Sequence, residues 1–266
     1  MVTGNDILSY LNTLAPLEYQ MDFDNSGFLV GDRRAEIHRV LVALDITDSV
    51  IAEAEAQGAE LIVAHHPLIF HKLSGVCTDD PTGRKVIRLV RSGISAICMH
   101  TNLDIAEGGV NDALVAALDA DVTDILEPTG TTFDGNKLGC GRIGNLKQEM
   151  PLDAFLGFVT DRLHVNGVRY VSGGKDVHHI AVCGGSGGSM LELAHAAGCD
   201  TLITADVKYD RFLTARELGV NLIDADHFCT ENVVVPKLAA ALQTQFPELA
   251  ITISSLKQTA SFYAAR

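Results

Sequence analysis

Three short segments of the chain concentrate histidine and carboxylate side chains immediately after apolar runs. The residues concerned are His65, His66, His100, Asp104, His227 and Glu231. Neutral imidazole is the commonest metal ligand in proteins, and carboxylates can chelate or bridge two ions about 3.5–4 Å apart. Four imidazoles and two carboxylates are about the set that a two-metal site needs, so the composition of these segments predicts a shared metal site.

The spacing within the segments supports this interpretation. His65 and His66 are adjacent, whereas His100 and His227 are each followed by a carboxylate four positions later. On a helix, residues four apart lie on one face, and in a loop four residues still permit convergence. The alternative is that each histidine is a satisfied polar group at a strand end. For any single histidine, a satisfied polar group is the better explanation. For the whole set of histidines and carboxylates, a shared metal site is the better explanation.

The elements that must position these residues are short apolar strands alternating with helices. Strands are predicted over residues 40–44, 61–64, 94–99, 168–171, 180–183, 201–204, 221–223 and 251–255. Helices are predicted over residues 5–14, 47–57, 83–91, 109–118, 151–163, 189–197, 211–218 and 230–243, the last interrupted by Pro236. Continuous apolar strands between helices indicate an α/β fold with mostly parallel sheets, and sites in such sheets form at the carboxyl ends of the strands.

A change in composition suggests where the chain divides. Residues 127–145 are rich in glycine, threonine and proline, which predicts a domain boundary there. The first half, 1–126, would carry His65, His66, His100 and Asp104, and the second, 127–266, would carry His227 and Glu231. The boundary is approximate, and the C-terminal segment can pack on the first half.

Bulk properties exclude several classes of partner. The chain has 266 residues and a formal net charge of −14, and it contains no cluster of lysine or arginine. Duplex nucleic acid and anionic membranes would be repelled at long range. The N-terminus has no signal-peptide pattern, and no apolar stretch approaches the ~20 residues of a membrane span. Six cysteines without C-x-x-C spacing indicate reduced core thiols in a cytoplasmic protein.

Two further features have a functional and a structural interpretation. The glycine-rich segment 184–188 follows a strand and precedes a helix, so it could cradle a phosphate, but a tight turn is at least as good an explanation. The pair His178 and His179 precedes its strand, where the two side chains would point to opposite faces. Surface or core filling is the better expectation for that pair.

Several motifs in order along the chain resemble those of the GTP cyclohydrolase 1 type 2 homologue family, also called the NGG-interacting-factor-three-like family. They are DNSGFLVGD at 24–32, AHHPL at 64–68, HTNLD at 100–104, GGVN at 108–111 and HFCTE at 227–231. The resemblance covers most of the chain. It corresponds to the short form of the family, without an inserted domain.

The resemblance implies a specific set of site residues. Two metal ions would be held by His65, His66, Asp104, His227 and Glu231, with Glu231 bridging both ions. His100 would lie nearby, either behind the ligands, supporting them, or facing the substrate. The resemblance also implies two similar α/β halves with the dinuclear site between them, and a toroidal homohexamer whose sites face an internal cavity.

Two positions depart from the family pattern. Asp226 stands where the family usually has glycine before the C-terminal histidine, and Ala205 stands where it often has glycine in Thr-Gly-Asp. An extra carboxylate could alter metal preference or hydrogen-bond His227. An alanine could restrict a backbone approach that glycine allows.

The leading hypothesis is a dinuclear, metal-dependent hydrolase acting on a small molecule. The family name suggests GTP or a related purine nucleotide, whose imidazole ring would open at C8 with release of formate, and His100 would shuttle a proton. A phosphoester would suit two metals equally well. The ions could be Zn, Mn, Fe, Co or Ni, because the ligand set mixes nitrogen and oxygen without a thiolate. The alternative function is a non-catalytic metal-binding assembly or regulatory protein.

Overall fold

The computed structural model describes residues 1–132 and 134–256. The α-helices of this part of the chain are α1 (Gly4–Leu14), α2 (Asp48–Gln57), α3 (Pro81–Ser92), α4 (Thr101–Ile105), α5 (Val110–Ala117), α6 (Leu152–Leu163), α7 (Leu191–Ala196), α8 (Tyr209–Leu218), α9 (His227–Glu231) and α10 (Val235–Gln245). Its strands are β1 (Gly27–Val30), β2 (Arg39–Ala43), β3 (Leu61–Ala64), β4 (Ser95–Cys98), β5 (Ala120–Thr131), β6 (Lys137–Met150), β7 (Arg169–Val171), β8 (Val177–Ser186), β9 (Thr201–Ala205), β10 (Asn221–Asp224) and β11 (Ala250–Ile253).

The contacts between residues divide the chain into two units. Unit 1 comprises Met1–Ala106 and the returning residues 235–256, and unit 2 comprises Glu107–Val234. The described residues of the segment 127–145, predicted from composition to hold a boundary, lie in unit 2 and belong to the β5–β6 hairpin. Glycine is needed there for close strand pairing, because a Cβ on Gly139 would lie 2.1 Å from the carbonyl oxygen of Glu127.

Unit 1 contains a five-stranded sheet in the order β1-β4-β3-β2-β11. All of its pairings are parallel except that of β1 with β4. The strand β3 is buried along its whole length, as expected of a strand covered on both faces. Helices α2 and α3 end at Gly58 and Gly93, which adopt the left-handed conformation that glycine permits. The predicted parallel arrangement is therefore correct for unit 1, apart from its edge strand.

Unit 2 contains a six-stranded sheet in the order β5-β6-β8-β9-β10-β7. Only β8-β9 and β9-β10 are parallel pairings, and the other three are antiparallel. The expectation of mostly parallel sheets is therefore wrong for this unit. The reason lies in the long β5–β6 hairpin, because a short turn can join only antiparallel strands. Strand β5 is largely exposed and polar, and the buried part of β6 contains glycines and Arg142, so neither strand appears in the sequence as an apolar run.

The C-terminal segment returns to unit 1, where β11 pairs in parallel with β2. The predicted long helix at 230–243 is divided, since a 3₁₀ turn at Asn232–Val234 separates α9 from α10. Pro236 stands at the second position of α10, where a missing N–H costs little. Among the described residues, no helix has the length and apolar character required to cross a bilayer.

Candidate metal centre

Three histidines meet at the carboxyl ends of two neighbouring strands of unit 1. His65 and His66 follow β3 directly, and His100 lies two residues beyond β4, which pairs with β3 in parallel. One ring nitrogen of each of the three lies within 4.8 Å of the others. His65 is fully buried, whereas the side chains of His66 and His100 keep 22% and 17% of their exposure. The cluster is therefore held rigidly and still reaches the surface.

The hydrogen bonds of the tandem pair define which nitrogen of each ring faces the cluster. Nδ1 of His65 lies 2.8 Å from the carbonyl oxygen of Met99, and Nδ1 of His66 lies 2.7 Å from Oδ1 of Asp45. A carbonyl and a carboxylate can only accept, so each Nδ1 donates its proton. Nε2 then carries the lone pair that a metal ion requires.

His100 is held in the same way by Asp24. Nδ1 of His100 lies 2.7 Å from Oδ1 of Asp24, whose other oxygen accepts hydrogen bonds from the backbone N–H and the hydroxyl of Thr101. Burial raises the pKa of Asp24, but the hydrogen bonds from His100 and Thr101 outweigh burial and hold that pKa well below its ordinary value. Asp24 is thus a fixed negative charge that orients the ring of His100.

Asp104 is the remaining candidate metal ligand of unit 1. The short helix α4 follows His100 directly, and Oδ1 of Asp104 lies 3.7 Å from Nε2 of His65. The backbone N–H of Asp104 donates to the carbonyl of His100, which is the i to i+4 relationship predicted from the spacing. The structure therefore brings His65, His66, His100 and Asp104 together within unit 1.

The candidate metal ligands of unit 2, His227 and Glu231, lie at the two ends of α9. Nε2 of His227 lies 3.0 Å from Oε2 of Glu231, and Nδ1 of His227 lies 2.7 Å from Oδ2 of Asp206. Burial lowers the pKa of His227, but its contacts with Glu231 and Asp206 outweigh burial and raise that pKa to about 9. A positive charge is therefore favoured between His227 and Glu231, which is the electrostatic environment that suits a bound cation.

The glycine-rich segment 184–188 passes directly beside the candidate metal ligands His227 and Glu231. Gly185 has φ +63°, and a Cβ on it would lie 2.2 Å from Oε1 of Glu231 and 3.1 Å from Nε2 of His227. The N–H of Gly185 donates to the hydroxyl of Thr230, and the N–H of Gly184 donates to the side-chain oxygen of Asn111. Gly184 and Gly185 are required because the backbone passes so close to His227 and Glu231 that a side chain would not fit. A phosphate-binding role is not needed to explain these glycines.

Asp226 adopts a backbone conformation that favours glycine. Its φ is +68° and its ψ is 133°, outside the regions that L-residues ordinarily occupy. Its side chain caps α9 by accepting a hydrogen bond from the N–H of Cys229. The carboxylate on Nδ1 of His227 is that of Asp206, which also has a positive φ of 53°. Asp226 therefore occupies a strained turn in this chain.

Sequence reasoning did not assign the acceptors that orient the histidines. Asp24 lies within the first motif, but nothing in its spacing marks its role. Asp45 and Asp206 share a signal that could have found them: each precedes its histidine by 21 positions and follows the neighbouring parallel strand. The tandem pair His178–His179 is not part of the candidate ligand clusters described above, and Nδ1 of His179 lies 2.6 Å from Oδ1 of Asn145.

Comparison with known proteins gives consistent matches over nearly the whole chain. The family model Duf34/NIF3 (NGG1p interacting factor 3) matches residues 2–260. A protein of Clostridium perfringens named GTP cyclohydrolase 1 type 2 homolog is 37% identical over 236 residues, covering 88% of this chain and 89% of the relative. A protein of the same name from Clostridium acetobutylicum is 36% identical over 242 residues, covering 89% and 90%. The crystal structure of a Bacillus cereus protein related to NIF3 has a TM-score of 0.92 at 26% identity and covers 99% of both chains.

Proposed function

The chain belongs to the Duf34/NIF3 family, and from that premise we propose that it is a dinuclear, metal-dependent hydrolase. The ligands in this proposal are His65, His66, Asp104, His227 and Glu231, with Glu231 shared by both ions. One observation carries the proposal: each of the four candidate-site histidines has an acceptor on Nδ1. That pattern leaves Nε2 as the coordinating atom, and it is the usual arrangement of metal-binding histidines.

The donor chemistry also fits divalent transition metals. The proposed set combines imidazole nitrogens with carboxylate oxygens and contains no thiolate, which suits Zn, Mn, Fe, Co or Ni. In unit 2, the environment of His227 and Glu231 already favours a positive charge. An arrangement that raises a histidine pKa by means of a neighbouring carboxylate stabilises a proton and a metal cation for the same electrostatic reason.

Two bound ions would supply an activated water molecule and a Lewis acid for hydrolysis. The protein's own part in the proposed reaction centres on His100. Its ring is oriented by Asp24, and its Nε2 can accept or return a proton next to the ligand cluster. The substrate in this proposal is GTP or a related purine nucleotide, whose imidazole ring would open, or a phosphoester.

We also propose that the working protein is a homo-oligomer, most simply the toroidal homohexamer that the family resemblance implies. The native mass in solution, measured by light scattering after size exclusion, tests this directly. A monomeric mass at micromolar concentration would contradict it.

Elemental analysis of purified protein tests the metal proposal. We expect about two transition-metal ions per chain in the wild type, with most of the metal lost in Glu231→Ala, because that variant removes the shared ligand. Glu217→Ala, which removes an exposed glutamate of α8 in the same unit, is the matched control and should keep its metal. Metal-loaded protein is then assayed for formate release from GTP and for phosphoester hydrolysis.

The outcomes separate the two function classes. Turnover that disappears in Glu231→Ala but persists in Glu217→Ala would support the hydrolase. Two retained ions without turnover on any nucleotide or phosphoester would favour the metal-binding assembly or regulatory protein instead. Negligible metal after reconstitution with Mn, Fe and Zn would overturn both.

A further inference from the structure

Two phenylalanine rings lie side by side on the surface next to the histidine cluster of unit 1. The ring centroids of Phe23 and Phe70 are 6.3 Å apart with an interplanar angle of 67°, an edge-on arrangement, and the residues are 63% and 37% exposed. Large aromatic side chains left in water forgo the free energy that burial would provide, so an adjacent exposed pair is a candidate contact surface.

The two rings are held in place by polar contacts of their own loops. The side-chain N–H of Asn25 donates to the carbonyl oxygen of Ile69 at 2.6 Å, which joins the residues next to Phe23 to those next to Phe70. Asp24 is bonded to His100, as described above. The loop segments that carry the rings are therefore tied to each other and to His100.

Phe70 extends this aromatic surface to the site itself. Its ring centroid lies 5.9 Å from that of His100 with an interplanar angle of 84°, and 4.8 Å from that of His71. The ring of His100 in turn lies 5.2 Å from that of His65. A planar group stacked on one of these rings and touching the edge of the other would therefore lie next to His100 and the candidate metal-binding histidines.

We propose that Phe23 and Phe70 form an aromatic subsite that receives a planar heteroaromatic ring of the substrate. This inference rests on the proposed function and narrows it, because it places the substrate's ring, and not its phosphate, against the candidate ligands. Ring opening is then favoured over phosphoester hydrolysis. Stacking on aromatic side chains suits any planar base, because every base has a π-face.

The charges of the two loops favour binding of an uncharged ring over binding of a polyphosphate. Residues 21–27 contain Asp22 and Asp24 and no lysine or arginine, and the first cationic side chain of the second loop is the exposed Lys72, beyond Phe70 and His71. Asp24 is ionised, since its pKa lies well below the ordinary value. Phosphate groups would be repelled there, whereas an uncharged ring would not.

Guanosine 5′-monophosphate and ribose 5-phosphate form a matched pair of probes that differ only by the base. Binding of each to metal-reconstituted wild type, Phe23→Ala and Phe70→Ala is measured by calorimetry, with metal content determined on the same samples. We expect the wild type to prefer the nucleotide. The Kd for the nucleotide should rise roughly tenfold in each variant, while the Kd for ribose 5-phosphate stays unchanged. Tyr170→Ala, which removes an exposed ring on β7 of unit 2, should behave as wild type.

Three results would overturn the subsite: no preference of the wild type for the nucleotide, a nucleotide affinity in both phenylalanine variants equal to that of the wild type, or a change in native mass in place of a change in affinity. The last result would mean that the rings cover a contact with a second copy of the chain. The metal measurement separates this inference from the function beneath it. A wild-type protein that binds no metal would contradict the proposed function. Even then, tighter binding of the nucleotide than of ribose 5-phosphate that is lost in Phe70→Ala would support the subsite.

Discussion

Asp206 accepts a hydrogen bond from Nδ1 of His227 at 2.7 Å, and the two residues, 21 positions apart, follow the neighbouring parallel strands β9 and β10. Asp45 and His66 repeat this relationship in the other unit, with the same 2.7 Å distance and the same separation of 21 positions. Each unit therefore positions one of its candidate histidines in the same way, with an aspartate after one strand orienting a histidine after the next.

Removing either of these aspartates should weaken metal binding. Without its acceptor, the imidazole loses both its fixed tautomer and its orientation, and such losses typically reduce metal affinity 10- to 100-fold. We expect this effect for Asp206→Ala and Asp45→Ala, measured by competition with a chelator. Asp210→Ala, which removes an exposed carboxylate at the start of α8, should leave the affinity unchanged. Equal affinities in all three variants would show that the acceptors are dispensable.

Gly185→Ala should damage both stability and metal binding. A Cβ at this position would lie 2.2 Å from Oε1 of Glu231, and the positive φ adds backbone strain of about 1–2 kcal/mol. Gly198→Ala is the matched control in the same unit, because Gly198 has a φ of +79° and nothing within 4 Å of the added Cβ. We expect both variants to lose free energy of unfolding in denaturant titrations, but only Gly185→Ala to lose metal. Normal metal content in Gly185→Ala would contradict the packing argument.

Asp226→Gly should stabilise the protein. The φ of +68° and ψ of 133° at this position strain any residue with a Cβ, by about 1–3 kcal/mol, whereas replacing an aspartate cap by glycine costs only a few tenths. A gain of about 1 kcal/mol in the free energy of unfolding is expected, measured by denaturant titration.

Asp226→Ala serves as the counterpart to that variant. Alanine keeps the strain and removes the cap on the N–H of Cys229, which should lower stability by about 1 kcal/mol. If glycine and alanine destabilise the protein equally, the capping hydrogen bond and not the backbone conformation dominates at Asp226.

Acid should remove the stabilisation that Asp24 provides. Its pKa is lower in the folded protein than in the unfolded chain, so its contribution is fully present above the unfolded value of about 3.9 and is lost as the pH falls below it. Asp24→Asn should therefore be less stable than wild type at pH 7, and the difference should shrink between about pH 4 and the acid limit. Denaturant titrations across that range provide the measurement. Asp32→Asn, at an exposed position, is the control, and a difference from wild type that does not vary with pH would contradict the linkage.

The sequence allowed the candidate donors to be predicted because they follow apolar strands. A strand such as Leu61–Ala64 is buried on both faces, so its residues are uniformly apolar and its end is easy to locate. Parallel neighbours then bring successive strand ends together, which places His65, His66 and His100 at one edge of a sheet. The i to i+4 pair in α9 follows equally directly from helix geometry.

The acceptors and the hairpin depend on information that local patterns do not contain. Asp24 reaches His100 from 76 positions away, so the hydrogen bond exists only after the sheet of unit 1 has formed. Strand β5 is largely exposed and contains Pro128 and Gly130, which are typical of turns. Its partner β6 contains glycines that suggest a linker until their close approach to β5 is known.

The return of β11 to β2 makes the folding of unit 1 depend on the order of synthesis. All of unit 2 must be translated before β11 exists, which at about 5–20 residues per second takes on the order of ten seconds. During that interval the nascent chain presents β2 as an open, apolar edge, the kind of surface on which strands of other chains can pair. A polypeptide truncated just after α9 would carry every proposed ligand and would still be a substrate for chaperones and proteases.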